Sequence, residues 1–260
     1  MLLALDVGNS QIFGGVFAGD ELKLTFRRSS QTSASADELG VFLRGMLRES
    51  GLQADAIREI AVCSVVPDLV HALRNCCVRY FQAEPFVLGP GSKTGLNIRY
   101  KNPAEVGADR IANAIAAVHR HPGRNLIVID LGTANTFCAI SRNKDYLGGV
   151  ILPGLRISMD ALAQRTAKLP AVEIVRPKDL VGKTTVASIQ SGLYFGCLAA
   201  IREITRQVQA DCFKSQEAVV IGTGGFSRLF ADEGVFDEVV PDLVLRGLVI
   251  ALRSNLEAVS

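Results

Sequence analysis

The fold is decided by a stretch of sequence that occurs twice. The first copy is Leu2-Leu-Ala-Leu-Asp-Val-Gly-Asn-Ser-Gln-Ile-Phe13, and the second is Leu126-Ile-Val-Ile-Asp-Leu-Gly-Thr-Ala-Asn-Thr-Phe137. The two copies align without gaps at an offset of 124 residues, and Leu, Asp, Gly and Phe recur in register. Each copy is a short apolar run that ends in an acid, as expected for a buried strand that enters a polar turn. The pattern predicts an internal duplication.

The segments around each copy also correspond. Two further strands separated by glycines follow each copy, and helices come after them. Helices are predicted at 36–50, from Pro67, at 103–121, 157–166 and 185–212, and from Pro241 to about Glu257. This alternation indicates an α/β class with a mixed sheet in each half. At roughly 150 residues per domain, the chain suits two domains, which we expect at 1–122 and 123–260.

Composition excludes several classes of function. The chain has 28 basic and 26 acidic residues and no Trp, so neither charge nor base stacking favours a nucleic-acid partner. The first apolar run stops at Asp6, too soon for a signal segment or a membrane span. None of the six cysteines lies in a metal-binding pattern. We therefore expect a cytoplasmic protein with buried thiols and without a membrane partner.

The two acid–glycine turns are the clearest chemical signal. In Asp6-Val-Gly8-Asn9 and Asp130-Leu-Gly132-Thr133, the glycine lets backbone N–H groups approach an anion. The following Asn, Ser or Thr can donate to phosphate oxygens, and the Asp can hold a cation. A single Asp-x-Gly is a common turn, but two copies at matching places predict two phosphate-binding hairpins on either side of a cleft.

Three other segments carry residues with possible chemical roles. Gly222-Thr-Gly-Gly225 follows an apolar run, and its glycines suit either a flat ligand or a simple strand-to-helix turn; it lacks the Rossmann fingerprint. Gly182-Lys-Thr184 resembles the end of a P-loop, but Pro177 stands where the first glycine would be. Asp109 and Arg110 could be functional or an exposed ion pair.

The ordered motifs resemble a known family over essentially the whole chain. The paired turns with Thr223-Gly-Gly225 resemble the acetate kinase, sugar kinase, Hsp70 and actin superfamily. Three further stretches are similar to type III pantothenate kinases: Tyr100-Lys-Asn-Pro-Ala-Glu-Val-Gly-Ala-Asp-Arg110, Gly148-Gly-Val-Ile-Leu-Pro-Gly-Leu155 and Lys183-Thr-Thr-Val-Ala-Ser-Ile-Gln-Ser-Gly192. The resemblance implies two duplicated RNase H-like domains with mixed sheets, the actin-like ATPase fold, with the nucleotide in the cleft.

The resemblance also implies an activity and a set of roles. The activity is ATP-dependent phosphorylation of pantothenate to 4′-phosphopantothenate, the first step of coenzyme A biosynthesis. Asp109 would be the general base, Asp6 would lie near Mg²⁺, and Asp130 would bind K⁺ or ammonium. ATP would contact Asp6, Gly8, Asn9, Ser10, Gln11, Gly132, Thr133, Thr223, Gly224 and Gly225. Pantothenate would contact Tyr100, Gly107, Ala108, Arg110 and Thr185. Ser10 replaces the Thr usual in the family and keeps its hydroxyl.

Two alternatives remain beside this function. One is a kinase for another small hydroxyl substrate, which the 100–110 stretch disfavours. The other is a non-catalytic regulatory or binding relative, which would be expected to lose Asp109 or one acid–glycine turn.

Assembly as a homodimer is also expected, with the substrate pocket near the interface. We expect two apolar helices, at 111–118 and 185–212, to supply that interface. The stripe on the longer helix comprises Ile189, Leu193, Cys197, Ile201 and Ile204.

Overall fold

The first sheet contains five strands of mixed direction. They are β1 (Leu2–Val7), β2 (Gln11–Ala18), β3 (Glu21–Ser29), β4 (Glu59–Ser64) and β5 (Phe86–Val87). Their spatial order is β3-β2-β1-β4-β5. β1 pairs with β2 in antiparallel register and with β4 in parallel register. β1 is therefore central, which explains why its side chains are almost all apolar and buried.

The second sheet repeats this arrangement. It contains β6 (Asn97–Ile98), β7 (Asn125–Leu131), β8 (Ala134–Ile140), β9 (Asp145–Pro153), β10 (Ala218–Thr223) and β11 (Glu238–Val239). The order is β11-β10-β7-β8-β9-β6. Apart from the short β6, each sheet has an antiparallel three-strand meander whose first strand pairs in parallel with a later strand. The duplication and the mixed sheets are thus confirmed.

The two copies differ in the length of the hairpin turn. Asp6 pairs with Phe13, whereas Asp130 pairs with Thr136. The gapless alignment therefore holds along β1 and β7 but not across the turn, where the second copy is one residue shorter. The closing hydrogen bonds agree, because Gly8 N–H donates to Gln11 (3.0 Å) whereas Gly132 N–H donates to Ala134 (3.2 Å).

Six α-helices complete the described chain, which comprises residues 1–31 and 33–256 of this computed structural model. They are α1 (Ala36–Glu49), α2 (Pro67–Phe81), α3 (Ala108–Arg120), α4 (Leu155–Arg165), α5 (Thr185–Phe213) and α6 (Leu243–Leu256). The predicted end at Glu257 lies outside the described residues. α3 begins later than predicted, because Pro103–Glu105 forms a separate 3-10 turn capped by Asn102. Extended Val106 and then Gly107 separate that turn from α3.

The helices and sheets are organised into two compact units. Unit 1 comprises 1–95, 102–116 and the residues from Leu243 onward; unit 2 comprises 96–101 and 117–242. Unit 1 has a core between its sheet and α1 and α2, and unit 2 has one between its sheet and α4 and α5. These units differ from the sequence halves 1–122 and 123–260, because α6 packs against β1 and β4 of the first sheet.

The apolar helix surfaces expected at a dimer interface are buried within one chain. On α5, Ile189, Leu193 and Ile201 belong to the core of unit 2. On α3 the alanines at 112, 114, 116 and 117 are all buried. Gly247 of α6 lies so close to the Ala112 carbonyl that a Cβ would overlap it, so small residues serve helix packing here. Much of this apolar surface is therefore covered within one chain, whereas Cys197 and Ile204 of the α5 stripe are only partly buried. Which surface binds a partner subunit stays a prediction.

Most thiols are buried, as expected. Cys63, Cys76, Cys77 and Cys138 are buried, Cys197 is partly buried and Cys212 is exposed, and no disulfide joins any two of these described cysteines. Burial raises the pKa of Cys76 and of Cys77 to about 12. Within residues 1–31 and 33–256, no helix has the length and apolar character that a membrane crossing requires.

Candidate active site

The first acid–glycine turn lies in unit 1, directly after the carboxyl end of β1. Asp6 is the penultimate residue of that strand, and Gly8 begins the turn. Asn9, Ser10 and Gln11 are exposed, so their polar groups are accessible to a ligand. Because β1 is buried in the sheet, the turn projects from a rigid base.

Asp109 lies in the same part of unit 1 as Asp6. The thiol of Cys63 on β4 donates to Asp6 Oδ1 over 3.3 Å. Burial, together with the nearby carboxylates of Asp6 and Asp109, raises the pKa of Cys63 well above its usual range. Asp6 thus contacts this thiol, and Asp109 lies near enough to act on it electrostatically. Sequence reasoning missed Cys63, since only the parallel register of β1 and β4 places it beside Asp6.

The residues around Asp109 constrain its side chain. Asp109 is half-buried in the first turn of α3, and its Oδ1 occupies the place that a Cβ on Gly107 would take. Ala108 is the first residue of the helix. Arg110 is only 7% exposed, which excludes the alternative of an exposed Asp109–Arg110 pair. Gly107 thus permits the acid to fold back at the helix start.

The second acid–glycine turn and the late glycines meet in unit 2. Asp130 pairs with Thr223 of β10, at the carboxyl ends of two parallel strands. Its Oδ1 lies 3.4 Å from the position of a Cβ on Gly132 and fills the position of a Cβ on Gly224. Gly224 has φ +87°. Asp130 therefore lies against the backbone of both turns.

The turn that follows β10 is anchored on both sides. Phe226 N–H donates to Leu131 O (3.1 Å), and Ser227 Oγ donates to Gly224 O (2.9 Å). Thr223 is buried, whereas a Cβ on Gly225 would meet nothing within 4 Å. Gly225 thus presents open backbone on which a flat ring could lie.

The remaining predicted substrate residues lie on other elements of unit 2. The Tyr100 ring centroid is 6.4 Å from that of Tyr146, and Tyr100 Cε2 is 3.6 Å from the Cβ position of Gly148. Thr185 is exposed at the start of α5. Its neighbour Thr184 caps that helix by accepting from Ala187 N–H (3.1 Å).

A cavity of about 520 Å³ in unit 2 contains none of these residues. Its walls come from the middle of α5, the start of β10 and residues 234–237, and they include Arg124, Arg202 and Arg206. It lies at the amino-terminal half of β10, whereas the Gly224 turn follows the carboxyl end. Arg206 already binds Glu203 through two hydrogen bonds, so the cavity does not replace the turns as the candidate site.

Duplicated mixed sheets, each with an acid–glycine turn after the first strand, define an actin-like ATPase fold, and solved structures agree. A structure described as a Baf family transcriptional activator from Campylobacter jejuni has a TM-score of 0.62 and 20% identity, covering 98% of this chain and 99% of that one. MreB 5 of Spiroplasma citri, bound to AMPPNP, has a TM-score of 0.58 and 10% identity, covering 100% and 98%. At these identities the likeness shows the fold alone.

Sequence comparison gives the family within that fold. The type III pantothenate kinase profile matches residues 2–207. A protein from Legionella pneumophila (strain Paris) named Type III pantothenate kinase is 56% identical over 255 residues, which are 98% of this chain and 99% of that protein. The chain belongs to the type III pantothenate kinase family.

The two adjacent glycines after β10 allow a matched test of the Asp130 contact. Gly224→Ala places a Cβ where Asp130 Oδ1 lies and strains a positive φ, which costs about 1–2 kcal/mol for the backbone alone. We expect Tm to fall by about 3 °C or more. Gly225→Ala meets open space and should stay within about 1 °C of wild type. Thermal unfolding followed by circular dichroism measures both, and equal Tm values would contradict the packing.

Proposed function

We propose that the protein transfers the γ-phosphoryl group of ATP to the primary hydroxyl of pantothenate, giving ADP and 4′-phosphopantothenate at the first step of coenzyme A biosynthesis. The observation that carries the proposal is that Asp6 and Asp109 both lie near the buried thiol of Cys63, which donates to Asp6. A carboxylate base then lies in the same part of unit 1 as a turn suited to phosphate. Family membership supplies the acceptor.

The turns bind the nucleotide in this proposal. Gly8, Asn9, Ser10 and Gln11 form the first phosphate site, and Gly132 with Thr133 forms the second. Backbone N–H groups and short polar side chains are the donors that phosphate oxygens require. Adenosine is bound by the turn of Thr223, Gly224 and Gly225, and it lies against the open backbone of Gly225.

Asp109 acts on the acceptor hydroxyl. The hydroxyl oxygen forms a bond to the γ-phosphorus as the bond to the β–γ bridging oxygen breaks, and Asp109 accepts the hydroxyl proton. This chemistry depends mainly on positioning and on charge stabilisation, and the base must lie within hydrogen-bond reach of the hydroxyl. Pantothenate is held by Tyr100, Gly107, Ala108, Arg110 and Thr185.

The residues at the turns fit the expected cations. Mg²⁺ is usually bound through one or two carboxylates plus substrate phosphates, and Asp6 supplies one carboxylate beside the first turn. In the described ranges no group of three or more His, Cys, Asp or Glu side chains forms a separate metal site. Mg²⁺ would neutralise phosphate charge when bound. Asp130, which lies against two backbone turns, would hold K⁺ or ammonium.

The activity is tested with purified protein, ATP–Mg²⁺ and pantothenate in potassium, ammonium or sodium chloride, with 4′-phosphopantothenate measured by mass spectrometry. We expect faster formation in potassium or ammonium than in sodium. Asp130→Asn removes the charge and should abolish that preference. Binding of nucleotide without formation of product in any of the three salts would favour the non-catalytic alternative. Phosphorylation of another small hydroxyl acceptor, but not of pantothenate, would favour a different kinase. Equal rates in all three salts would contradict the role of Asp130.

Asp109→Asn tests the general base, because it keeps the size of the side chain and removes its basicity. We expect kcat to fall by at least about 10²-fold, the range for loss of a general base. ADP affinity, measured by titration calorimetry, should be retained. Asp211→Asn, an exposed acid on α5, is the matched control and should keep wild-type kcat. Near-normal turnover by Asp109→Asn would remove Asp109 from this role.

A homodimer and a cytoplasmic location complete the proposal. Most exposed large apolar side chains of the described residues fall between 150 and 186: Val150, Ile151, Ile157, Leu162, Leu180, Val181 and Val186. Exposed apolar surface of this kind favours a protein partner, and a second copy is the partner that the family resemblance implies.

Sedimentation velocity tests the dimer with two matched charge substitutions. Ile151→Asp, at a side chain that is 57% exposed, should shift the dimer to monomer. Val41→Asp on α1, at a side chain that is 67% exposed, should leave it intact. A wild-type chain that is fully active as a monomer would overturn the homodimer.

A further inference from the structure

In each unit, the residue after the last strand of the three-strand meander contacts the acid–glycine turn of that unit. Ser30 follows β3, and its N–H donates to Ser10 O (2.9 Å); Gly154 follows β9, and its N–H donates to Thr133 O (3.1 Å). Ser30 and Gly154 are separated by the same 124 residues as the duplicated strands. The same position of the repeat therefore makes the same kind of bond in both units.

Ser30 makes a second bond that fixes the first turn more fully. Its Oγ donates to Gly8 O over 2.5 Å. A trans peptide is planar, with its C=O and N–H pointing in opposite directions. Orienting the Gly8 carbonyl toward Ser30 therefore points the N–H of Asn9 away from Ser30. One serine thus sets the direction of a donor in the first phosphate turn.

Gly154 fixes the second turn through the close approach of its backbone to that turn. A Cβ at this position would overlap both Gly132 O and Thr133 O. Its φ of −70° is open to any residue, so space and not conformation requires glycine here. Gly154 is also the N-cap of α4, and its carbonyl accepts from Ser158 N–H (2.9 Å). The second turn is thereby packed against the N-cap of α4.

We infer that Ser30 and Gly154 are positioning residues for the two phosphate turns. Through the carbonyls of Gly8 and Thr133 they orient the N–H groups of Asn9 and Ala134 toward the nucleotide phosphates. The inference rests on the proposed function, since it takes the turns as the nucleotide-binding elements. In unit 1 the turn is held by the hydroxyl of Ser30, whereas in unit 2 the missing side chain of Gly154 lets the backbone approach the turn. Neither residue belongs to an acid–glycine motif, and neither need touch the nucleotide.

The test compares Ser30→Ala with the conservative Ser30→Thr. Loss of one hydrogen bond should raise the KM for ATP and the Kd for ADP by about 3- to 10-fold. The KM for pantothenate should stay within about twofold, and Ser30→Thr should restore ATP affinity. Ser29→Ala, at the exposed preceding serine, is the matched control and should behave as wild type.

Gly154→Ala tests the second turn. The overlap with two carbonyl oxygens must displace the turn, so we expect the Kd for ADP to rise by more than about 10-fold. Gly45→Ala on α1, where a Cβ meets nothing within 4 Å, is its control. Should Gly154→Ala fail to fold, Ser30→Ala alone decides.

The outcomes separate this inference from the proposed function. A wild-type chain that binds ADP, with Ser30→Ala binding it equally well, overturns the inference alone. Equal weakening of ATP and pantothenate by Ser30→Ala also overturns it, because general damage would then be the cause. A wild-type chain that binds no ADP overturns the proposed function and the inference together.

Discussion

The structure depends on one constraint, which is that a buried central strand must end in a turn whose polar groups face solvent. β1 and β7 are apolar along almost their whole length and lie between neighbours on both sides. Their backbone groups are satisfied within the sheet until the acid at the end. Beyond it, Gly8 and Gly132 turn the chain sharply, and a carboxylate is left beside exposed backbone donors. That combination can bind phosphate and a cation together.

The sequence predicted the strands and helices because their signals are local. Apolar runs that end in acids and glycines that follow strands act over a few positions. The one-residue difference between the hairpin turns could not be predicted this way, because the residue types of the two copies still match in an ungapped alignment. The burial of the α5 stripe was also missed, since an apolar stripe does not reveal whether its partner belongs to the same chain.

The candidate site was predicted in its residue types but only partly in its arrangement. The duplication showed that Asp6 and Asp130 occupy equivalent positions of the repeat. The parallel register of β7 and β10 then places Asp130 against Gly224. Cys63 and Ser30 carried no recognisable signal, and Gly154 lay in a family-like stretch that gave it no role. Their positions matter only because of strand pairing and because the strand before Ser30 or Gly154 returns to the turn. Residues that hold a site from neighbouring strands are a product of tertiary structure, which one sequence does not display.

The central claim is that both acid–glycine turns bind nucleotide phosphates through their backbone N–H groups. Amide chemical shifts of ¹⁵N-labelled protein, followed by NMR during titration with ADP–Mg²⁺, test it most directly. The account predicts that the largest shifts occur at Gly8 to Gln11 and at Gly132 to Ala134. Shifts centred instead on Val219, Val220 and the other walls of the 520 Å³ cavity, with both turns unchanged, would contradict it.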